Sequence, residues 1–200
     1  MNQIIKNTII LFVITLVAGI CLGIVHDITL DPIAQAQEAA ATKTYQEVYP
    51  DAASFDEPQE LADAVTAAAD SISEWGFGKV TINDAKEALD ASGNQIGYLI
   101  TSTSAESYGG NVQIAVGITN EGELTGIGFL SISDTPGLGM RAKEPDFKDQ
   151  FIGKKAENLE VTKTGASADN QIEAISGATI TSKAVTNATD AAIYFVANCL

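Results

Sequence analysis

Histidine occurs once in these 200 residues, cysteine twice, and Lys and Arg together only 11 times against 26 acidic residues. The scarcity of cations, with a formal net charge of -15, argues against nucleic acid or an anionic lipid surface as a partner, because phosphate binding needs clustered Lys and Arg. Cys21 lies in the apolar N-terminal run and Cys199 beside the C-terminus, too far apart in the chain to suggest a pair, and neither belongs to a Cys-x-x-Cys-His haem signature or an iron-sulfur array. His26 has no Cys, Asp or Glu at ligand spacing, so no metal site is expected. No triad of nucleophile, base and orienting acid can be assembled either, and no catalytic residue is assigned.

What is present begins with an uncharged run from Thr8 to Val25. As a helix it is roughly 27 Å long, close to the ~30 Å hydrocarbon core of a bilayer. Lys6 precedes it while Asp27 and Asp31 follow, which places the N-terminus in the cytoplasm and the rest outside, in a single-pass arrangement. The small-residue triplet Ala34-Gln35-Ala36 resembles a signal cleavage site but lies well beyond the apolar run, so a retained anchor is the preferred reading. The expected organisation is a cytoplasmic N-terminus at 1–7, an anchor at 8–25, an Ala/Gln-bearing spacer or helical continuation at 26–44, and an extracytoplasmic domain at 45–200 of ordinary single-domain size.

Within that domain, Leu61, Val65, Ala68 and Ile72 recur at helical spacing between Pro58 and Trp75, and Gly76 ends the pattern. A β-rich middle follows. Residues 96–101 form one apolar run, Val112, Ile114, Val116 and Ile118 alternate, Asn120-Glu121-Gly122 supplies a turn, and residues 124–133 return as a further strand. Helices are expected at 146–152 and 185–196, the latter carrying Val185, Ala188, Ala192, Phe195 and Val196 on one face. The class is α+β, an antiparallel sheet with packed helices, preceded by one transmembrane helix.

Two glycine-bearing segments at element ends could carry chemistry. Thr135, Pro136, Gly137, Leu138 and Gly139 form a tight loop after a strand that a flat ring could approach, and a bulky residue at Gly137 would fill the space beside such a ring. Read alone, the loop is better taken as an ordinary turn, and its loose match to a dinucleotide fingerprint fails because no alternating βα series surrounds it. Ser176, Gly177, Ala178, Thr179, Ile180 and Thr181 open the last helix, where free N–H groups and the dipole favour a phosphate. Only Lys183 is close in sequence, so a free mononucleotide would be held weakly, whereas a phosphoester to a threonine would retain it. Of the two threonines, Thr181 sits where a hydroxyl would cap the helix.

These residues resemble the FMN-binding domain family shared by the G subunit of the Rnf electron transport complex and the C subunit of the sodium-pumping NADH:quinone reductase. The resemblance rests on Ser176 to Thr181 with Ser182, Ala184 and Val185, on Thr135 to Gly139, and on Ser107-Tyr108-Gly109-Gly110, all in the family's order. It is close over the second half of the chain, and the chain's length points to the Rnf G subunit. It implies covalent FMN on Thr179, the threonine ending an acidic-x-x-Ser-Gly-Ala-Thr pattern that starts here at Glu173, where aspartate is usual. The loop at 135–139 is implied to pack near the flavin, with Asp134 where glutamate is common. The implied partners are a flavin transferase for maturation and other membrane subunits of a complex coupling electron transfer of the ferredoxin/NAD type to ion translocation. Two other functions stay open: a flavinylated domain serving another reductase or an extracellular acceptor, and a tethered binding domain without cofactor.

Overall fold

The computed structural model describes residues 2–155 and 157–200. The backbone falls into two compact units, Met1–Thr42 and Lys43–Leu200. The first consists of most of one long helix, α1 (Gln3–Val48), which is long and apolar enough to cross a membrane by length and composition. Its apolar side chains, Leu11, Phe12 and Ile14 among them, are exposed, and the Thr8 and Thr15 hydroxyls donate back to the Ile4 and Leu11 carbonyls, so neither hydroxyl would turn an unpaired hydrogen toward a hydrocarbon surround. The helix continues through Pro32, so the Ala/Gln-bearing segment is helical.

The second unit takes the last residues of α1 and then β1 (Ser54–Asp56), α2 (Gln59–Ala68), a 3-10 turn at Ile72–Glu74, and four long strands, β2 (Val80–Leu89), β3 (Gln95–Ser107), β4 (Gly110–Thr119) and β5 (Leu124–Ile132). The five strands pair antiparallel in sequence order. A short helix α3 (Pro145–Lys148) lies between two 3-10 turns, and β6 (Glu160–Thr162) pairs parallel with β7 (Gln171–Glu173). The chain ends in α4 (Thr179–Cys199).

The architecture is α+β, with the alternating residues of β4, Val112, Ile114, Val116 and Ile118, all buried. They face α4, which packs chiefly along β3. The helix approaches closely because its contact face is built from Ala184, Ala188, Ala191 and Ala192, with Val185 and Phe195 filling the layer. Burial of a side chain such as Phe195 stabilises by about 1.5–3 kcal/mol. The Ser102 hydroxyl donates to the Ala188 carbonyl at 2.9 Å and fixes helix to strand.

Four strands lie outside the sequence expectation. In β2 the register slips between Ile82 and Asp84, so Val80 and Ile82 in one phase and Ala85 in the other reach the same core, while Ala88 packs beside Tyr49, and no continuous alternation is visible. The other three, β1, β6 and β7, are three residues each, too short to carry a period.

The second sheet face receives the last turn of α1. Val48 and Tyr49 are buried against Leu99, Ala115 and Ala88, the Thr125 hydroxyl donates to the Val48 carbonyl at 2.7 Å, and the Tyr49 hydroxyl donates to the Ile96 carbonyl at 2.8 Å. Gly128 leaves room for Thr44 and Val48, which a methyl there would strike. Within the second unit, packing on the sheet thus reaches back to Thr44.

Candidate functional site

Three segments far apart in the chain meet at one end of the β3–β4–β5 sheet. The first is the two-residue turn Tyr108–Gly109 between β3 and β4. The second runs from Asp134 to Gly139 after β5, and the third opens α4. They enclose a cavity of about 480 Å³, within the range of small-molecule pockets.

The second and third segments are built alike. The Leu138 N–H donates to the Thr135 carbonyl at 3.1 Å, and the Ala178 N–H to the Ile175 carbonyl at 2.9 Å. In both turns the third residue is a glycine with positive φ, +74° at Gly137 and +79° at Gly177, and no other residue type has positive φ among the described residues. That is the type II geometry, which needs glycine third and favours proline second, as at Pro136. The Ser182 hydroxyl accepts the Ile175 N–H and donates to the Ala178 carbonyl, both at 3.0 Å, pinning the second turn to the helix it precedes.

Asp134 joins the three segments. Its Oδ2 accepts the Ser107 hydroxyl at 2.9 Å, the Gly109 N–H at 3.4 Å and the Thr181 hydroxyl at 2.7 Å, while its Oδ1 accepts the Thr135 N–H at 2.6 Å. Burial works to raise the pKa of this carboxyl, but the bonds from Thr181, Thr135, Ser107 and Gly109 outweigh it and hold the group below the usual carboxylate value. A methyl at Gly139 would collide with the same carboxylate, which accounts for that glycine.

The helix opening differs from expectation at Thr181. α4 starts at Thr179, the N-cap is Ala178, and no side chain caps it. Thr181 is therefore inside the first turn, fully buried, and its hydroxyl donates to Asp134 instead of accepting a helix N–H. Thr179 stands at the first helical position, half-buried, with no hydrogen-bond partner for its hydroxyl among the described residues. The N–H groups of Thr179, Ile180 and Thr181 also lack protein acceptors there, the first satisfied N–H being that of Ser182, 3.0 Å from the Ala178 carbonyl.

Of the residues singled out from sequence, Thr135, Leu138, Gly139, Gly177, Ala178, Thr179, Ile180 and Thr181 line the cavity, whereas Ser176, Pro136 and Gly137 do not. Gly137 stands in the open. No protein atom lies within 4 Å of where its Cβ would be, and its φ of +74° demands glycine there. Glu173 is exposed at the end of β7, where Gln150 accepts its N–H at 2.7 Å and donates to its carbonyl at 3.3 Å. Tyr108 and Asp134 line the cavity without having been assigned to the site from sequence. The signal for them is the Ser107 to Gly110 segment and the acidic residue directly before Thr135.

The cavity suits FMN in two respects. Unpaired helix N–H groups offer a place for a phosphate, and Leu138, Ile180 and Tyr108 offer apolar surface to a flat ring. No Lys or Arg lines it, and Asp134 adds negative charge, so the site has no cation to hold a free phosphate dianion.

Comparison with known proteins gives the same direction. Residues 107–194 match the FMN-binding domain family, and residues 1–48 match the RnfG N-terminal region. The G subunit of the Na(+)-translocating ferredoxin:NAD(+) oxidoreductase complex of Acetobacterium woodii is 35% identical over 201 residues, spanning 96% of this chain and 91% of that protein. The G subunit of the ion-translocating oxidoreductase complex of Methanosarcina acetivorans is 30% identical over 196 residues, spanning 98% and 95%. Among solved structures, NqrC of Shewanella oneidensis aligns with a TM-score of 0.46 at 19% identity, over 56% of this chain and 54% of that one.

Proposed function

The chain belongs to the G-subunit family of Rnf-type ion-translocating oxidoreductase complexes, and from that premise we propose that it carries one FMN, ester-linked through its phosphate to Thr179 Oγ1. FMN, when bound, supplies the electron-carrying chemistry. The polypeptide anchors and orients it, and passes electrons between neighbouring centres of a membrane complex that couples ferredoxin/NAD-type electron transfer to ion translocation. α1 holds the protein in the membrane, with the N-terminus in the cytoplasm and the flavin domain outside. A flavin transferase matures it.

The observation that carries the attachment point is the contrast between the two threonine hydroxyls. Thr181 is buried and committed to Asp134, whereas Thr179 is accessible, unpartnered among the described residues, and set beside the open N–H groups of α4. Those N–H groups and the positive end of the helix stabilise the negative charge of a phosphate at Thr179. With no cation in the lining, retention of the cofactor falls to the covalent bond. Leu138 and Ile180 then exclude water from one side of the ring.

The test is to express the full chain with a flavin transferase as wild type, Thr179→Val and Thr181→Val, and read in-gel flavin fluorescence under denaturing conditions. Wild type and Thr181→Val are expected to fluoresce and Thr179→Val to be dark. Persistent fluorescence in Thr179→Val would overturn the assignment.

A further inference from the structure

We propose that Tyr108 covers one face of the isoalloxazine ring and sets the optical and electronic environment of the flavin, an inference that rests on the covalent-FMN reading. Tyr108 lines the same cavity as Thr179, Leu138 and Ile180, yet it is 72% exposed, so a large aromatic ring stands at the mouth with little to pack against. Phe, Tyr and Trp rings are the side chains with most to gain from a flat partner, and leaving one in water forgoes that gain unless a ligand supplies it.

The backbone beneath the ring is fixed on both sides. Ser107 pairs with Gly110 across the turn, the Ser107 hydroxyl and the Gly109 N–H both donate to Asp134, and a methyl at Gly109 would strike the backbone of Ser133 and Asp134. The turn is thus pressed onto the end of β5, and the same carboxylate that fixes it also holds Thr181 in the first turn of α4. Asp134 thereby sets the spacing between the aromatic ring and the helix end that bears Thr179, which preorganises the cavity for a tethered ring. An exposed side chain on a fixed backbone is the arrangement expected of a contact whose partner arrives with the cofactor.

The chemistry gives the inference its own readout. A phenol ring stacked on an oxidised flavin is an electron donor to the excited flavin and quenches its fluorescence, and indole does so as well, whereas an aliphatic side chain does not. The full chain is expressed with a flavin transferase as wild type, Tyr108→Leu and Tyr108→Trp, and each is measured by intact mass for adduct and by fluorescence before and after denaturation. The wild type is expected to brighten severalfold on denaturation. Tyr108→Leu, fully flavinylated and with unchanged circular dichroism, is expected to be bright already when folded, and Tyr108→Trp to restore the quenching. A fully flavinylated, folded Tyr108→Leu protein as dim as wild type would overturn this inference alone. A wild-type chain without any adduct would sink the covalent reading, and this inference with it.

Discussion

Asp134 and Asp190 are both hydrogen-bonded carboxyl groups tied to α4, one against its first turn and one on its buried middle, and they are driven in opposite directions. Asp134 is half-buried and accepts four hydrogen bonds, two from hydroxyls and two from backbone N–H groups, which hold it ionised below its usual range. Asp190 is 4% exposed and accepts only the Leu159 N–H at 2.9 Å among the described residues, so burial pushes it up to about 7 against that single bond. The contrast shows that depth of burial weighed against donor number decides whether a carboxylate stays charged in this fold. It also separates two stretches of α4 by task, with polar groups at the first turn converging on an open cavity and a neutralisable acid sealed in the core.

The comparison is sharpened most by pH. Because the folded state raises the pKa of Asp190, its contribution to stability is fully present below the unfolded value near 3.9 and is lost as pH rises through about 7. The Asp134 pKa is lowered, so its contribution is present above the unfolded value and is lost only as pH falls further. Between roughly pH 4 and pH 7 the difference between the two carboxyls therefore belongs to Asp190, and it amounts to something on the order of 4 kcal/mol. Denaturant unfolding of wild type and Asp190→Asn across this window should give a stability difference that changes with pH by that order, and a parallel pair of curves would break the contrast.

Next in size is Asp134→Leu. It strands the buried Thr181 hydroxyl and releases the turn at Tyr108, and should cost roughly 3 kcal/mol in chemical denaturation. Flavin attachment should fall with it, because the three cavity segments lose their common acceptor. Thr181→Val removes one of the four bonds and should cost about 1–2 kcal/mol while leaving the adduct in place, with a raised Asp134 pKa detectable by carboxyl NMR titration. Smallest is Gly137→Ala, about 1 kcal/mol by thermal melt, from left-handed backbone strain alone. A larger loss there would mean that the position packs against something after all.

Much of this was legible in the residues. The alternation in β4, the turn at Asn120 to Gly122 and the apolar stripe on α4 could be read because each pattern is regular where it runs, although α4 begins at Thr179, before the expected start at 185, because the stripe does not extend into its first turn. The expected capping role of Thr181 was misplaced because the helix begins at Thr179, with Ala178 and not a hydroxyl residue at its N-cap. A buried inward-facing threonine and an N-cap look alike when the first residue of a helix is off by two or three. Asp134 as a junction could not be seen at all, since its partners Ser107, Gly109 and Thr181 lie 25 to 47 residues away and only the meander and the α4 packing bring them together.

The attachment of the cofactor is tested most directly by mass. Intact mass spectrometry of the full chain matured with a flavin transferase should show one FMN adduct per polypeptide, and peptide mapping should place it on Thr179. An adduct on Thr181, or a chain that matures without any, would contradict the account.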